Sequence, residues 1–318
     1  MRTRRGFALP AAAAILLSGP APLARSVHRQ TSTDGDRPVQ AGHGVELETA
    51  AAGERLAAQT VKVGYCTSVK NLATAKEAGF DYVELATTEI AALSDEEFEQ
   101  TLRTARGIGL PTPVSNLFLP ATLKVTGPEV DVDRQIAYVT KAFDRLSRLG
   151  VDTVVFGSGG ARRVPDGFAR GPAGKQLIEF GRRIAPLARA RGITVAVEPL
   201  RREETNIVNS AAEGLELVEA VGDAGFQLMV DFYHLASEHE DPRIIIRAGP
   251  HVRHVHMANP MGRVFPRVAD EFDYEPFFAS LRAIGYDRRI SVEASTTDVK
   301  ADAPRAIALL RGAVDAPR

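Results

Sequence analysis

Acidic and histidine side chains that could bind a metal ion follow short apolar segments in the second half of the chain. These residues are Glu198, Asp231, His256 and Glu293. Burying a lone carboxylate at the end of an apolar segment is costly unless another charge compensates it. One divalent cation would compensate all three carboxylates, and the histidine would add a neutral nitrogen. The sequence therefore predicts a single metal site, and its oxygen-rich donor set favours Mn²⁺ or Mg²⁺, with Co²⁺ or Zn²⁺ as alternatives.

The cysteine and histidine content narrows the kind of metal site. Cys66 is the only cysteine, which excludes a disulfide within the chain and any multi-cysteine metal or iron–sulfur site. None of the seven histidines lies between Cys66 and Glu198, so a multinuclear zinc site would lack ligands from that part of the chain. His254 lies two residues before His256 on the same face of one segment, where we expect a buried structural role.

Short apolar strands alternate with longer amphipathic helices from Val61 onward, and these elements would position the polar residues. Several strands follow a helix-ending Gly, as in Leu149-Gly-Val-Asp-Thr-Val-Val-Phe156, which is typical of a helix-to-strand junction. We expect eight strands, the third over 112–117. The spacing of apolar residues predicts intervening helices that include 95–107, 131–149, 174–191 and 211–221.

Eight strand–helix repeats predict an α/β fold, a (β/α)₈ TIM barrel that forms a single domain over residues 61–318. The alternative is an open doubly wound sheet, which the absence of Gly-x-Gly-x-x-Gly after the first strand disfavours. Active sites of such barrels lie at the carboxyl ends of the strands. Glu84 and Asn116 end earlier strands, so we expect both to contact substrate, with a salt bridge at the barrel top as the alternative for Glu84.

The first 60 residues are expected to lie outside the barrel. Residues 1–24 combine Arg2, Arg4 and Arg5 with an apolar run over 7–17 and a small-residue segment, the pattern of a signal peptide. The Arg pair and Phe7 resemble a signal for the twin-arginine translocase, and an ordinary Sec signal or a retained anchor is the alternative. Residues 25–60 predict a linker with a short helix over 46–59.

This amino-terminal pattern predicts export to the periplasm or another extracytoplasmic compartment. The apolar run is shorter than the roughly 17–25 residues of a membrane-spanning helix, so we expect no stable membrane anchor in the mature form. The composition, 44% hydrophobic and 25% charged over 318 residues, is that of a globular protein. Lys plus Arg (39) balance Asp plus Glu (40) and there is no Trp, so we expect no nucleic-acid partner.

Four sequence motifs resemble those of the xylose isomerase-like TIM-barrel superfamily, and within it the sugar phosphate isomerase/epimerase group, which includes ketose 3-epimerases and hydroxypyruvate isomerase. The motifs are Val-Glu-Pro-Leu at 197–200, Val-Asp-Phe-Tyr-His at 230–234, His-Val-His-Met-Ala-Asn-Pro at 254–260 and Ser-Val-Glu-Ala-Ser at 291–295. The resemblance covers residues 61–295 and implies the same four metal ligands. It also implies that Glu198 and Glu293 are the catalytic acid/base pair.

The resemblance further implies a small-molecule carbohydrate substrate and a set of residues that contact it. By position in the motifs these residues are His234, Arg202, Glu204 and Arg263. Arg201 stands where the 3-epimerases usually have Asn, a departure that argues against free ketohexoses. Members of the group often form dimers or tetramers, so the resemblance also implies a homo-oligomer.

The expected activity is that of a divalent-metal-dependent sugar epimerase or aldose–ketose isomerase. A metal that binds a carbonyl and the neighbouring hydroxyl would stabilise the ene-diolate formed when an α-proton leaves. One glutamate would remove the proton and the other would return one. Return to the opposite face of the same carbon gives epimerisation, and return to the neighbouring carbon gives isomerisation.

Other functions stay open at this stage. A lyase or dehydratase that acts on a keto-sugar, such as a 3-keto-glycoside or an inosose, would use the same ene-diolate to expel a leaving group. An exported sugar-binding barrel would not need both glutamates, and the histidine distribution disfavours a trinuclear zinc phosphodiesterase of the endonuclease IV kind. The segment Gly157-Ser-Gly-Gly160 with Arg162 and Arg163 is either a phosphate cradle or a flexible loop over the barrel mouth.

Overall fold

Eight parallel strands close into a barrel in the computed structural model, which describes residues 61–316. Each strand pairs with its neighbours in sequence, and the first pairs with the last through the register Val63↔Ile290. The strands are β1 Lys62–Cys66, β2 Tyr82–Ala86, β3 Val114–Asn116, β4 Thr153–Phe156, β5 Thr194–Val197, β6 Phe226–Asp231, β7 Val252–Met257 and β8 Arg289–Val292. The closed sheet confirms the predicted (β/α)₈ barrel over the open doubly wound alternative.

Helices connect successive strands and cover the outside of the sheet. They are α1 Leu72–Glu77, α2 Thr87–Ala92, α3 Asp95–Ile108, α4 Val132–Arg148, α5 Gly159–Arg162, α6 Arg170–Arg189, α7 Ala211–Val221, α8 Phe232–Ser237, α9 Ile244–Ala248, α10 Glu275–Ala283 and α11 Val299–Asp315. Short 3₁₀ turns occupy Val69–Asn71 and Gly249–His251. Within residues 61–316, no helix is long and apolar enough to span a membrane.

Two hydrophobic cores follow from the alternation of side chains along each strand. The larger core lies between the sheet and the helices. The smaller core fills the barrel interior and consists of Tyr82, Val114, Val155, Ala196 and Met229. The Tyr82 ring lies where a side chain at Gly64 would project. Because Gly64 has no Cβ, this position of β1 leaves room for the large interior residue.

The element boundaries agree with the sequence patterns except where proline intervenes. Strand β3 is shorter than the predicted 112–117, because Pro111 and Pro113 supply no N–H to the ladder and Leu117 has a left-handed φ of 45°. Helix α6 begins at Arg170 rather than at 174, and Pro172 fits there because the first turn needs no N–H donor. The predicted signal peptide, the linker and the short helix at 46–59 fall on residues 1–60, outside the described residues.

Candidate active site

Four polar side chains converge at the carboxyl ends of β5 to β8. Glu198 and Glu293 each follow the last residue of a strand, Asp231 ends β6, and His256 is the penultimate residue of β7. Their ligand atoms all lie within 4.8 Å of one another. The Nδ1 atom of His256 is 3.5 Å from Glu198 Oε1 and 3.3 Å from Glu293 Oε2. The structure therefore brings together the four residues predicted as metal ligands.

Unpartnered buried atoms show that this cluster fits a cation. Glu198 Oε1 and His256 Nδ1 have no hydrogen-bond partner, although buried polar atoms normally have one. Burial, together with the negative charges of Glu293 and Glu198, raises the pKa of Asp231 to about 7. Burial also raises the pKa of Glu198. A divalent ion would satisfy the free atoms and relieve the repulsion among the carboxylates, so the donor set suits Mn²⁺ or Mg²⁺.

Asp231 has two roles at the end of its strand. Its Oδ1 accepts a hydrogen bond from the Tyr233 N–H at 2.8 Å and thereby caps the amino terminus of α8. Its Oδ2 faces the cluster, at 3.5 Å from both His234 Nε2 and an Arg263 amino group. The cap fixes the carboxylate in the orientation that directs the second oxygen toward the site.

Arg263 supplies the positive charge at the mouth of the site. Its guanidinium forms an ion pair with Glu293 and lies 4.5 Å from the centre of the Tyr233 ring. Burial would raise the pKa of Glu293, but the charges of His256 and Arg263 outweigh it and lower this pKa to about 2. Glu293 is therefore ionised at neutral pH, although it is enclosed by the barrel end.

His234 presents a free N–H toward the cluster. The Arg201 N–H donates to His234 Nδ1 at 3.3 Å, so the ring proton resides on Nε2, which has no hydrogen-bond partner. Burial and the charge of Arg263 lower the pKa of His234 to about 3, which keeps the ring neutral. The same Nε2 atom is 3.9 Å from Glu204 Oε2, so the predicted pair of His234 and Glu204 lies at the site.

A cavity of about 450 Å³ opens beside Glu293 and Arg263. Asn116 lines it and donates from Nδ2 to Glu293 Oε1 at 3.4 Å, which places this residue at the site as predicted. Cys66 lines the same cavity and has its Sγ 3.9 Å from His256 Nε2. Burial and the nearby Glu84 carboxylate raise the pKa of the Cys66 thiol, so it is protonated at neutral pH.

Two residues predicted to contact substrate lie elsewhere. The Arg202 side chain is 68% exposed and is paired with Glu238, away from the cluster. Its neighbour Arg201 lies at the mouth instead, bonded to Glu204 Oε1 at 2.9 Å and positioned over the Tyr233 ring. Glu84 is fully buried within the barrel, below the mouth, where it accepts hydrogen bonds from other side chains. Neither the Arg202 nor the Glu84 side chain lines the cavity beside Glu293, and their contacts with substrate stay predictions.

The glycine-rich segment after β4 supports the site. It continues into the short helix α5, and Arg162 is completely buried. The Arg162 guanidinium donates to the carbonyl oxygens of Phe156 at 3.0 Å and Glu198 at 2.6 Å, so it is not available to a bound phosphate. A side chain at Gly157 would collide with the Glu198 carboxylate.

Sequence reasoning assigned no role to Tyr233, and it did not predict the contacts that Arg201 and Arg162 make in the structure. Tyr233 lies between the predicted residues Asp231 and His234 in the turn that follows β6, and this position was the available signal. Arg201 lies in an irregular connection and Arg162 ends the four-residue helix α5, so no periodic pattern indicates which of these side chains faces the barrel axis.

Comparison with known proteins gives a consistent family and fold. The family described as xylose isomerase-like TIM barrel matches residues 72–313. L-ribulose 3-epimerase of Methylomonas sp. (strain DH-1) is 26% identical over 240 residues, which cover 72% of this chain and 79% of the relative. D-psicose 3-epimerase of Ruminiclostridium cellulolyticum is 26% identical over 223 residues, which cover 68% of this chain and 74% of the relative.

A solved structure supports the same architecture. The crystal structure of a D-psicose 3-epimerase in the presence of D-fructose superposes with a TM-score of 0.72 at 20% sequence identity. The match covers 80% of this chain and 100% of that chain. At this level of identity the likeness concerns the barrel fold.

Proposed function

The chain belongs to the xylose isomerase-like TIM barrel family, and we propose that within this family it is a divalent-metal-dependent sugar epimerase that acts on a ketose. The coarser prediction of an isomerase is confirmed, because the curated relatives are epimerases and epimerases are isomerases. The observation that supports the proposal most is the pair of enclosed glutamates, Glu198 and Glu293, which contact the same ring nitrogen of His256.

Glu198, Asp231, His256 and Glu293 would hold the cation. When bound, a divalent cation supplies Lewis acidity that stabilises negative charge on substrate oxygens. Glu198 and Glu293 follow strands that are separated by β6 and β7, so the two carboxylates reach the cluster from different parts of the barrel end. One glutamate removes the proton from the carbon next to the carbonyl, and the other returns a proton to the opposite face of that carbon.

The surrounding residues orient the sugar. The Nε2–H of His234 faces the cluster without a partner and can donate to a substrate oxygen. Arg263 and Asn116 contact Glu293 and present their remaining donors to the cavity. Glu204 Oε2, 3.9 Å from His234 Nε2, can accept a hydrogen bond from a substrate hydroxyl group. These donors and acceptors suit a polyhydroxylated ligand whose hydroxyl groups need partners of both kinds.

The proposed chemistry is tested by deuterium exchange in D₂O. The Mn²⁺-loaded protein is incubated with a panel of ketoses, aldoses and 3-keto-glycosides, and Glu198→Gln and Glu293→Gln are the test variants. We expect deuterium at the carbon next to the carbonyl, an epimer as product, and loss of exchange by at least about 10²-fold in both variants. Glu99→Gln, a change in a surface ion pair with Arg148, is the matched control with unchanged exchange.

Other products would indicate a different activity. An unsaturated product would identify a lyase or dehydratase, and an aldose formed from a ketose would identify an isomerase. A protein that binds Mn²⁺ and a sugar without any exchange would be a binding barrel, and the epimerase proposal would then be abandoned.

We also propose that the protein is exported by the twin-arginine translocase. The support is the sequence of residues 1–24, in which Arg4 and Arg5 precede Phe7 and an apolar run. Replacement of both Arg4 and Arg5 by Lys is expected to retain the protein in the cytoplasm, whereas Arg2→Lys should leave export unchanged. Export of the double variant at the normal level, as measured by cell fractionation, would exclude this route.

A further inference from the structure

A buried carboxylate lies directly beneath the candidate metal site. Glu84 on β2 is fully buried, and its Oε1 is 3.0 Å from His256 Nε2. Its Oε2 is 3.0 Å from His254 Nε2 and accepts a hydrogen bond from the Ser291 hydroxyl at 2.6 Å. The acid/base chemistry proposed above does not use this residue, so its interior position requires another explanation.

The hydrogen bonds around Glu84 fix its orientation. The Tyr82 hydroxyl lies 2.8 Å from Ser291 Oγ, and Ser291 in turn donates to Glu84 Oε2. Oε2 is therefore occupied by Ser291 and His254, which leaves Oε1 to His256. Both carboxylate oxygens therefore serve as acceptors in these contacts.

The carboxylate oxygen beside Nε2 determines which nitrogen of His256 can bind a cation. The Nε2 atom must carry a proton to donate to Glu84, so the lone pair available to a metal is on Nδ1. Nδ1 is the buried atom without a hydrogen-bond partner, and it faces Glu198 and Glu293. The network below the ring and the free atom above it therefore agree on one tautomer.

We infer that Glu84 is a positioning residue that holds His256 with Nε2–H directed into the barrel and Nδ1 directed at the metal. This inference rests on the proposed function, because it assumes that the Glu198, Asp231, His256 and Glu293 set binds a cation. Carboxylate partners of this kind orient metal-binding histidines, and their loss weakens metal binding by about 10- to 100-fold.

A competing arrangement uses the opposite face of the same ring. Cys66, Glu84 and His256 also bring one ligand atom each within 4.8 Å, and this set would engage His256 through Nε2. In that case Glu84 would be a ligand itself and Cys66 would be required. The two arrangements differ in the nitrogen that binds the metal and in their dependence on Cys66.

The first test is the affinity for Mn²⁺, measured by isothermal titration calorimetry. Glu84→Gln keeps the shape but turns one oxygen into an amide donor, so one of the two histidines loses its acceptor. We expect Kd for Mn²⁺ to rise by about 10- to 100-fold. Ser291→Ala, which removes one hydrogen bond from Glu84 and none from His256, should raise Kd by less than about 3-fold. Asp152→Asn, a polar change at the other end of the barrel, is the control with unchanged Kd.

The second test measures the protonation of the His256 ring nitrogens directly. It does not depend on a folded Glu84 variant. In the Mg²⁺-loaded wild-type protein, labelled with ¹⁵N-histidine, we expect a protonated Nε2 and an unprotonated Nδ1 for His256. The assignment comes from the signal lost in His256→Gln. A protonated Nδ1 in the loaded protein would overturn the inference, and so would loss of Mn²⁺ binding in Cys66→Ser.

These outcomes separate the inference from the proposed function. A wild-type protein that binds no Mn²⁺ contradicts the proposed function itself. A wild-type protein that binds Mn²⁺ with the same Kd as a folded Glu84→Gln variant contradicts only the role of Glu84. Weaker binding in Glu84→Gln, with the expected tautomer in the wild type, supports both.

Discussion

At Gly157 the backbone passes close to the Glu198 carboxylate. A Cβ at this position would collide with the Glu198 carboxylate, so Gly157→Ala is expected to displace that carboxylate and to weaken Mn²⁺ binding by about 10-fold or more. The fold should persist, because the loop after β4 is held separately by the buried Arg162. Isothermal titration calorimetry on the purified variant measures the change.

The matched control is a glycine with free space around it. Gly107 lies inside α3, and a Cβ added there would meet no atom within 4 Å, so Gly107→Ala should leave Mn²⁺ binding unchanged. It should also stabilise the protein by about 0.5–1 kcal/mol, because alanine is the better helix residue. Unchanged Mn²⁺ affinity in Gly157→Ala would show that Glu198 tolerates the displacement.

The types and approximate positions of the site residues were predictable, but their depth in the barrel was not. Glu198, Asp231 and Glu293 follow apolar strands, and that pattern alone places them at the strand ends. Glu84 has the same signal in sequence, yet its partners come from β7 and β8, and strand tilt determines which interior residues meet. Arg201 and Arg202 are adjacent in a loop, where no periodicity selects the one that faces the site.

At the scale of elements, the amino-terminal ends of three strands are joined by one carboxylate. Asp152, just before β4, accepts from Arg289 of β8 at 2.9 Å, and Arg253 of β7 lies 3.5 Å away. Burial would raise the pKa of Asp152, but the hydrogen bond from Arg289 outweighs it and the pKa is lowered. A lowered pKa in the folded state means that the ionised carboxylate stabilises the fold.

The sign of the pH dependence follows from that lowered pKa. The stabilisation is present above the ordinary Asp pKa of about 3.9 and is lost as the pH falls through the lower folded value. The Asp152 side chain is 40% exposed and solvent screens its ion pair, so we expect Asp152→Asn to reduce the free energy of unfolding by about 0.5–1 kcal/mol at pH 7 and by less at acid pH. Urea unfolding at several pH values measures this, and an equal loss at pH 7 and pH 2.5 would contradict the assignment.

The order of the elements was predictable because the periodicity changes cleanly between strands and helices. Helix-ending glycines such as Gly150 and Gly192 have positive φ, as the junction pattern requires. The boundaries of β3 and α6 were harder to predict from the sequence, because prolines near a boundary permit more than one starting residue. Which helices pack together depends on barrel closure, which no local pattern encodes.

At the scale of the whole molecule, metal binding should appear as thermal stability. A ligand that binds only the folded state stabilises it by about 2.7 kcal/mol at one hundred times its Kd. For a barrel of this size we therefore expect Mn²⁺ to raise the Tm by about 5–10 °C over the protein treated with a chelator. Differential scanning calorimetry measures the shift. The same Tm with and without Mn²⁺ would show that the four-residue cluster does not bind the ion.

The closure of β1 on β8 also has a consequence for biosynthesis. The four candidate ligands lie between Glu198 and Glu293, so the first four strands leave the ribosome before any ligand does. The last ligand directly follows the strand that completes the sheet. A nascent chain arrested before Arg289 is thus expected to retain no Mn²⁺. Binding of the cation would therefore show that all eight strands of the sheet have been synthesised.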